Sequence, residues 1–210
     1  MSLRHALLAL LEAGPMTGYE LAKQFDQSVA YVWHAPHSQI YPELRRLEQE
    51  ELVLAHELPR GPNAKATKRA YALTQAGADE LTRWVAEVQA PPSVRDVAYL
   101  KATYFEYGSP EVIRRQFTEH LAHFREQQQR WERHVEQLRA RATVLLQRRL
   151  GRAPDEAHDA IVGYKVHVYW GLVERAKVEI AWAERGLRLV DELAAGGEDF
   201  EQVLYPAAGE

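Results

Sequence analysis

Cysteine is absent from the chain. That excludes a disulfide scaffold, a thiol nucleophile and any zinc or iron–sulfur centre built on thiolates. Long apolar runs are missing as well, and none approaches the ~18–20 residues that a membrane-spanning helix needs. The N-terminal stretch Ser2–Glu12 is broken by Arg4 and His5, and no small-residue cleavage site follows it, so no membrane partner and no secretory leader are expected. A cytoplasmic location is the default. There is no excess of positive charge either: 26 Lys+Arg against 30 Asp+Glu leave −4 over 210 residues, which argues against a uniformly cationic nucleic-acid coat. Nucleophile elbows, phosphate loops and paired-carboxylate patterns are lacking, so an enzyme is not expected. Hydrophobic residues at 46% and charged residues at 27% are ordinary proportions for a globular protein with one or two cores.

Local order is legible along the first ninety residues. Leu3, Ala6, Leu7, Leu10 and Leu11 follow the i, i+3, i+4, i+7, i+8 spacing of an amphipathic helix, stopped by Gly14-Pro15. Thr17-Gly18-Tyr19-Glu20 is a capping box that opens a second short helix through Phe25. Ser28–Pro36 reads as a turn region. A third helix spans about His37–Glu50, with Ile40, Leu44 and Leu47 on one face. Ser38, Pro42, Arg45 and Gln49 fall on the opposite face, flanked by Gln39, Tyr41 and Arg46. Leu52–Leu58 and Lys68–Leu73 suit two strands around the turn cluster Gly61-Pro62-Asn63. Between Leu58 and Ala72 stand Arg60, Lys65, Lys68 and Arg69 and no acid, a +4 patch in an acidic chain. Thr74 then caps a helix to about Val88, and Ala90-Pro91-Pro92-Ser93 marks the best domain boundary.

Beyond that boundary everything reads as helical. One helix opens at Ser93-Val94-Arg95-Asp96 and runs to about Tyr107. After Gly108-Ser109-Pro110-Glu111, the positions Phe117, Leu121, Phe124, Gln128, Trp131, Val135, Leu138, Ala142 and Leu145 alternate by four and three, and eight of the nine are apolar. This heptad seam predicts one long helix packed lengthwise on a partner, broken at Gly151–Asp155. A further long helix, about Glu156–Leu193, is apolar on more than one face and calls for cover from more than one neighbour; a second subunit is the economical source. The candidate dimer contacts are Phe117, Leu121, Phe124, Trp131, Val135 and Leu138 of the seam with Tyr164, Val168, Leu172 and Ile180 of the following helix. Trp131, Trp170 and Trp182 with Tyr164 and Tyr169 either fill that dimer core or line a cavity for a small aromatic effector. His120 and His123 share a helix face with His134 further along, but no carboxylate pattern supports a metal. No metal and no cofactor are expected.

Three helices followed by a hairpin with a basic tip, within about 75 residues, is the layout of a winged helix-turn-helix. The fold class expected is mainly α: a winged helix-turn-helix with a two-stranded β wing over residues 1–90, an all-α, coiled-coil-like dimerisation domain over 93–196, and a tail over 197–210. A helix presenting Ser38, Gln39, Tyr41, Arg45 and Arg46 suits the ~12 Å major groove. Lys65, Lys68 and Arg69 of the wing suit the phosphate backbone or the adjacent minor groove. Tyr19 and Lys23, near the start of the second helix, are phosphate candidates, because that helix crosses the backbone in this motif. Arg45 and Arg46 either read guanine or bind phosphate or pair with Glu48, Gln49 or Glu50. Tyr41 either touches phosphate or packs against the first helix. The partners expected are double-stranded DNA with a dyad-symmetric operator and a second copy of the chain. The alternative is a dimeric winged-helix scaffold that binds protein and not DNA.

Three blocks carry a family resemblance. Ala6–Leu11 with Gly14–Leu21, then Ile40–Val53, then Tyr71–Gly77 resemble the N-terminal domain of PadR-family transcriptional regulators. Val94-Arg95-Asp96, the heptad helix and Glu179–Leu187 are similar to the virulence-activator-type C-terminal domain of the longer PadR subfamily. The resemblance implies a homodimeric bacterial transcription factor, usually a repressor, with Tyr41 matching the family's tyrosine in the recognition helix and Lys65, Lys68 and Arg69 its basic wing. It names no effector. Two positions depart from the pattern: Glu51 stands where many members place glycine before Leu-Val, and His37 precedes Ser38 at the entry to the recognition helix.

Overall fold

In a computed structural model of the chain, which describes residues 3–32, 35–59, 67–90 and 96–196, the apolar stripe of the first segment forms helix α1 (Leu3–Leu11), with Leu7, Leu8, Leu10 and Leu11 buried. Gly14 ends the turn after it at φ +114°, a conformation open to glycine. Strand β1 (Met16–Thr17) and helix α2 (Gly18–Gln27) follow, then a short 3₁₀ turn and helix α3 (His37–Gln49). Strands β2 (Val53–Pro59) and β3 (Thr67–Leu73) pair antiparallel from Val53 opposite Leu73 to Pro59 opposite Thr67. The expected two-stranded wing is β2 with β3, and β1 adds a third strand to its sheet in the order β1-β3-β2, because Met16 and Thr17 pair with Tyr71 and Ala70. Helix α4 (Gln75–Ala86) starts at the Thr74 cap, whose Oγ1 accepts from Gly77 N–H. Gly77 is there for space: a Cβ on it would stand 2.2 Å from the Leu52 carbonyl oxygen.

The second half holds helix α5 (Val97–Ala102), a 3₁₀ turn at Phe105–Tyr107, and helices α6 (Pro110–Arg139), α7 (Val144–Leu150) and α8 (His158–Ala194). The helix expected from Ser93 to Tyr107 is thus shorter; its observed start is fixed by Asp96, whose Oδ1 accepts from the N–H groups of Ala98 and Tyr99. The long heptad helix also ends early. Arg141 takes a left-handed φ of +52° after the Ala140 C-cap, and Thr143 caps a new helix. Ala142 and Leu145 therefore continue the heptad count without continuing the helix.

Two compact units result: Met1–Pro91 with Ala142–His158, and Pro92–Arg141 with Asp159–Glu210. The division is not a simple cut near 91, because the α7 segment belongs with the first unit. Leu146 and Leu150 are buried, Leu145 packs on the first unit's core, and Arg149 pairs with Glu12 at 2.7 Å. That core joins α1, α2, α3 and the sheet through Leu7, Leu11, Met16, Leu21, Phe25, Ile40, Leu44, Leu47 and Val53.

In the second unit α6 and α8 run antiparallel. Phe117 near the start of α6 meets Gly186 near the end of α8, and His134 further along α6 meets the Tyr169 ring at 4.4 Å. The core contains Phe117, Leu121, Ala183 and Val190, edged by Phe105, Ile113, Ile180, Trp182 and Leu187. The seam expected to face a second subunit is therefore divided. Phe117, Leu121, Val135 and Leu138 are buried within the chain itself, the first two in one cluster with Ala183 and Val190 of α8. Phe124, Trp131, Leu172 and Ile180 are half-buried, and Tyr164 and Val168 are exposed. No helix among the described residues is long and apolar enough to cross a membrane.

Candidate nucleic-acid interface

The start of α2 is fixed by reciprocal bonds. Thr17 Oγ1 accepts from Glu20 N–H at 3.3 Å, while Glu20 Oε2 accepts from Thr17 N–H at 2.7 Å and from the Thr17 hydroxyl at 2.8 Å. The backbone bond and then the hydroxyl bond hold the Glu20 carboxyl below the usual range, against the opposing effect of burial, with smaller help from Lys68 and Arg148. One residue after Thr17, a Cβ on Gly18 would lie 2.6 Å from Tyr41 Cε1. The glycine lets the Tyr41 ring of α3 rest on the first turn of α2. Tyr41 thus lies against α2, with 47% of the residue still exposed.

The outward face of α3 follows the spacing of its apolar residues. Ile40, Leu44 and Leu47 are fully buried, while Ser38, Gln39, Tyr41, Pro42, Arg45, Arg46 and Gln49 are exposed. Arg46 sits 3.6 Å from Glu43 one turn earlier, and Arg45 has no ion pair or hydrogen bond among the described residues. A planar guanidinium left unpaired beside a Gln and a Ser can meet base edges or phosphate oxygens. His37, at the head of α3, bonds Asp26 of α2 through Nε2 at 2.9 Å. This pair fixes the α2–α3 turn and is not legible in the sequence, since no motif links residues eleven apart across a turn.

On the wing, Lys68 and Arg69 differ. Arg69 donates to Glu48 of α3 at 2.5 Å and lies 5.9 Å from the Tyr71 ring centre, so it braces β3 against the recognition helix. Lys68 is exposed and acts on the Glu20 carboxylate. Lys65 lies outside the described residues. Tyr19, 73% exposed, and Lys23 stand outward on α2.

The second unit contains aromatic cavities, one of which includes Trp182 of the expected set. Trp182 stacks on Tyr99 at 4.4 Å and lines a cavity of about 280 Å³ with Phe105, Phe117 and His120. A wider one of about 740 Å³ is lined by Leu100, Tyr104, Phe105, Tyr107 and Val112. Trp131, Trp170, Tyr164 and Tyr169 line neither. Instead, Lys177 lies 5.3 Å from the Trp170 ring centre, and Tyr169 packs on His134. Glu179 accepts from the Tyr99 hydroxyl at 3.2 Å and is 3.0 Å from His120 Nε2. Burial first, and then the Glu179 charge, push the Tyr99 phenol up.

Comparison with known proteins places this arrangement. The profile of the "Transcriptional regulator PadR-like family" matches residues 7–83. The chain is 29% identical over 190 residues to the negative transcriptional regulator PadR of Bacillus subtilis, covering 90% of this chain and 97% of that one. It is 36% identical over 129 residues to a probable transcriptional regulator of Mycobacterium tuberculosis, covering 56% of this chain and 67% of that one. The crystal structure of the Bacillus subtilis protein in complex with operator DNA superposes with a TM-score of 0.70 at 29% identity, over 91% of this chain and all of that one. Its complex with p-coumaric acid gives a TM-score of 0.65 at 28% identity, over 91% and 100% of the two chains. The Vibrio cholerae virulence activator AphA gives 0.64 at 25% identity, over 93% and 99%.

Proposed function

The chain belongs to the PadR-like family of transcriptional regulators, and from that premise we propose that it is a homodimeric repressor that lays two copies of α3 into successive major grooves of a dyad-symmetric operator. It is a DNA-binding regulator and not an enzyme. The observation that carries the finer reading is the outward face of α3: Ser38, Gln39, Tyr41, Arg45 and Arg46 stand exposed on a helix whose other side is fully buried. Arg45 is the base-reading candidate, because it alone of the two arginines has no carboxylate at hand. Tyr19, Lys23 and Lys68 take phosphates, and Arg69 positions the wing through Glu48. Lys65 belongs with the wing contacts by its place in the sequence.

Dimerisation is supported by apolar surface that the chain does not cover. Along α8, Tyr164 is 76%, Val168 48% and Val178 62% exposed. A second copy would bury this face and set the spacing of the two recognition helices. An effector is supported by the aromatic cavities of the second unit together with the p-coumaric acid complex of the Bacillus subtilis relative. The ligand class proposed is a small aromatic. The working place of such a regulator is the cytoplasm, with its operator.

Selection of bound fragments from random duplex DNA tests the reading. Enrichment of an inverted repeat with half-sites about 10 bp apart, or a multiple of it, is the expected result. Fragments without dyad symmetry, or no enrichment over bulk DNA at moderate salt, would overturn it.

A further inference from the structure

Many arginines of this chain are neutralised where they stand. Arg4 pairs with Glu50, Arg69 with Glu48, Arg83 with Glu80, Arg114 with Asp191, Arg125 with Glu184, and Arg149 with Glu12. Arg148 and Arg152 do not follow that habit. Both are exposed, and neither has a carboxylate within ion-pair distance among the described residues. Their side chains are neighbours: a Cβ on Gly14 would stand 3.4 Å from Arg148 Nη2 and 3.7 Å from Arg152 Nη1. Arg148 is also anchored, donating from Nη2 to the Pro15 carbonyl at 3.1 Å. Two like charges brought together with no carboxylate inside ion-pair distance repel each other, and an arrangement of this kind is relieved by a bound anion.

The place of the pair identifies the anion. Gly14-Pro15 leads directly into β1 and the Thr17 cap of α2. The next residue, Gly18, is where the recognition-helix ring of Tyr41 rests. Glu20, one turn into α2, feels both Arg148 and the wing residue Lys68, and its own carboxylate is held by Thr17. Lys68 and Arg148 thus both lie near Glu20, and Arg152 stands beside Arg148 over Gly14, while the α2 N-terminus itself is already capped by Thr17 and Glu20. Paired arginines are groups that hold phosphodiesters.

We infer that Arg148 and Arg152, delivered from the second half of the chain by α7, form a phosphate-backbone contact that extends the DNA interface beyond the helix-turn-helix and wing. The inference rests on the operator-binding reading. It adds that the DNA-binding surface is completed by residues outside the first ninety, held there by Leu145, which packs on the first unit's core, and by the Arg149–Glu12 ion pair.

Fluorescence-anisotropy titrations of the full-length protein with its selected duplex, across salt from about 50 to 200 mM, test it. Arg148→Gln with Arg152→Gln should weaken binding about tenfold at the lower salt and reduce the log–log salt slope by about 0.9 for each phosphate no longer neutralised. The loss should be equal on matched and mismatched duplexes, since phosphate contacts carry no sequence information. Arg148→Lys with Arg152→Lys should recover most of the slope. Arg45→Ala separates the two claims, since it should reduce discrimination between duplexes with little change attributable to Arg148 and Arg152. If the double Gln variant keeps the wild-type affinity and slope while Arg45→Ala loses discrimination, the α7 contact is overturned and the regulator reading stands. If the wild-type protein retains no duplex, both fall. An unchanged thermal midpoint of the Gln variant keeps a folding defect from imitating the expected result.

Discussion

The two units close their cores in different ways. In the first, Phe25, Leu7, Leu8, Leu11, Met16, Leu21, Ile40, Leu44 and Leu47 are buried to less than 2% exposure, and they come from α1, β1, α2 and α3. Each element covers another, so the unit is complete within one chain. In the second, a pair of long antiparallel helices hides only the strip between them. Tyr107 is 87%, Tyr164 76% and Val178 62% exposed, although α8 buries Val173, Ala176 and Ala183 completely. A helical hairpin has two sides, and one chain fills only one of them. The first unit covers its own apolar residues, whereas the second leaves apolar side chains of α8 exposed, the surface on which the proposed dimer rests.

Substitutions in each core sharpen this contrast. Phe25→Ala should have the largest effect, about 3–5 kcal/mol, because it empties the centre of a closed core. Thermal unfolding should show the loss, and operator binding should disappear while light scattering still reports the associated species. Loss of association in the same variant would show that the second unit depends on the first. Gly186→Val acts on the other core. A Cβ at Gly186 would stand 2.4 Å from the Phe117 ring, so the helices must part or the ring must move. A destabilisation of about 1–3 kcal/mol is expected, with a changed mass by light scattering and retained secondary structure in the first unit.

Protonation offers a milder test confined to the second unit. Burial, and then the Lys165 charge, hold the His134 imidazole below its ordinary value of 6.5, with a partial offset from Gln137. The unfolded chain therefore takes up its proton first as pH falls. Stability is complete above about 6.5 and declines from there down towards the lower native value. A chemical denaturation series between about pH 7 and 5 should show this decline, and His134→Phe should flatten it. An identical slope in the variant would assign the pH response to another group.

What the sequence disclosed follows from the range of the forces involved. The Thr17–Glu20 capping box and the buried and exposed faces of α3 are set by neighbours within two turns, and each is where the spacing predicts it, whereas α1 also buries His5 and Leu8 beyond its predicted stripe and leaves Leu3 and Ala6 half-buried. Strand β1 is two residues long and exists only because β3 comes back beside it, a pairing across more than fifty positions. Arg69 reads as a free wing cation in the sequence, and only the fold brings Glu48 to it. The heptad count is the instructive failure. Ala142 and Leu145 keep the phase of α6, yet the chain reverses at Arg141, and Leu145 joins the core of the other unit. Periodicity reports which residues are buried and does not report against what. The same limit hid Arg148 and Arg152, which lie about 130 positions from the loop they cover.

The smallest expected effect concerns Glu51, one of the two departures from the family pattern. α3 ends in a Schellman motif: Leu52 N–H donates to the Leu47 carbonyl at 2.9 Å and Glu51 N–H to the Glu48 carbonyl at 3.1 Å. The geometry requires Glu51 to be left-handed, and its φ is +58°. Glycine occupies such a position without strain, whereas a residue with a Cβ costs about 1 kcal/mol there. Glu51→Gly should therefore stabilise the first unit, by somewhat less than that because glycine also loosens the unfolded chain. The side chain at 51 is exposed and the motif's bonds all come from the backbone, so every one of them survives the change. A rise of a few degrees in the thermal midpoint, with operator affinity unchanged, is the expected outcome. A fall would mean that the carboxylate at 51 supports the wing in a way its backbone does not.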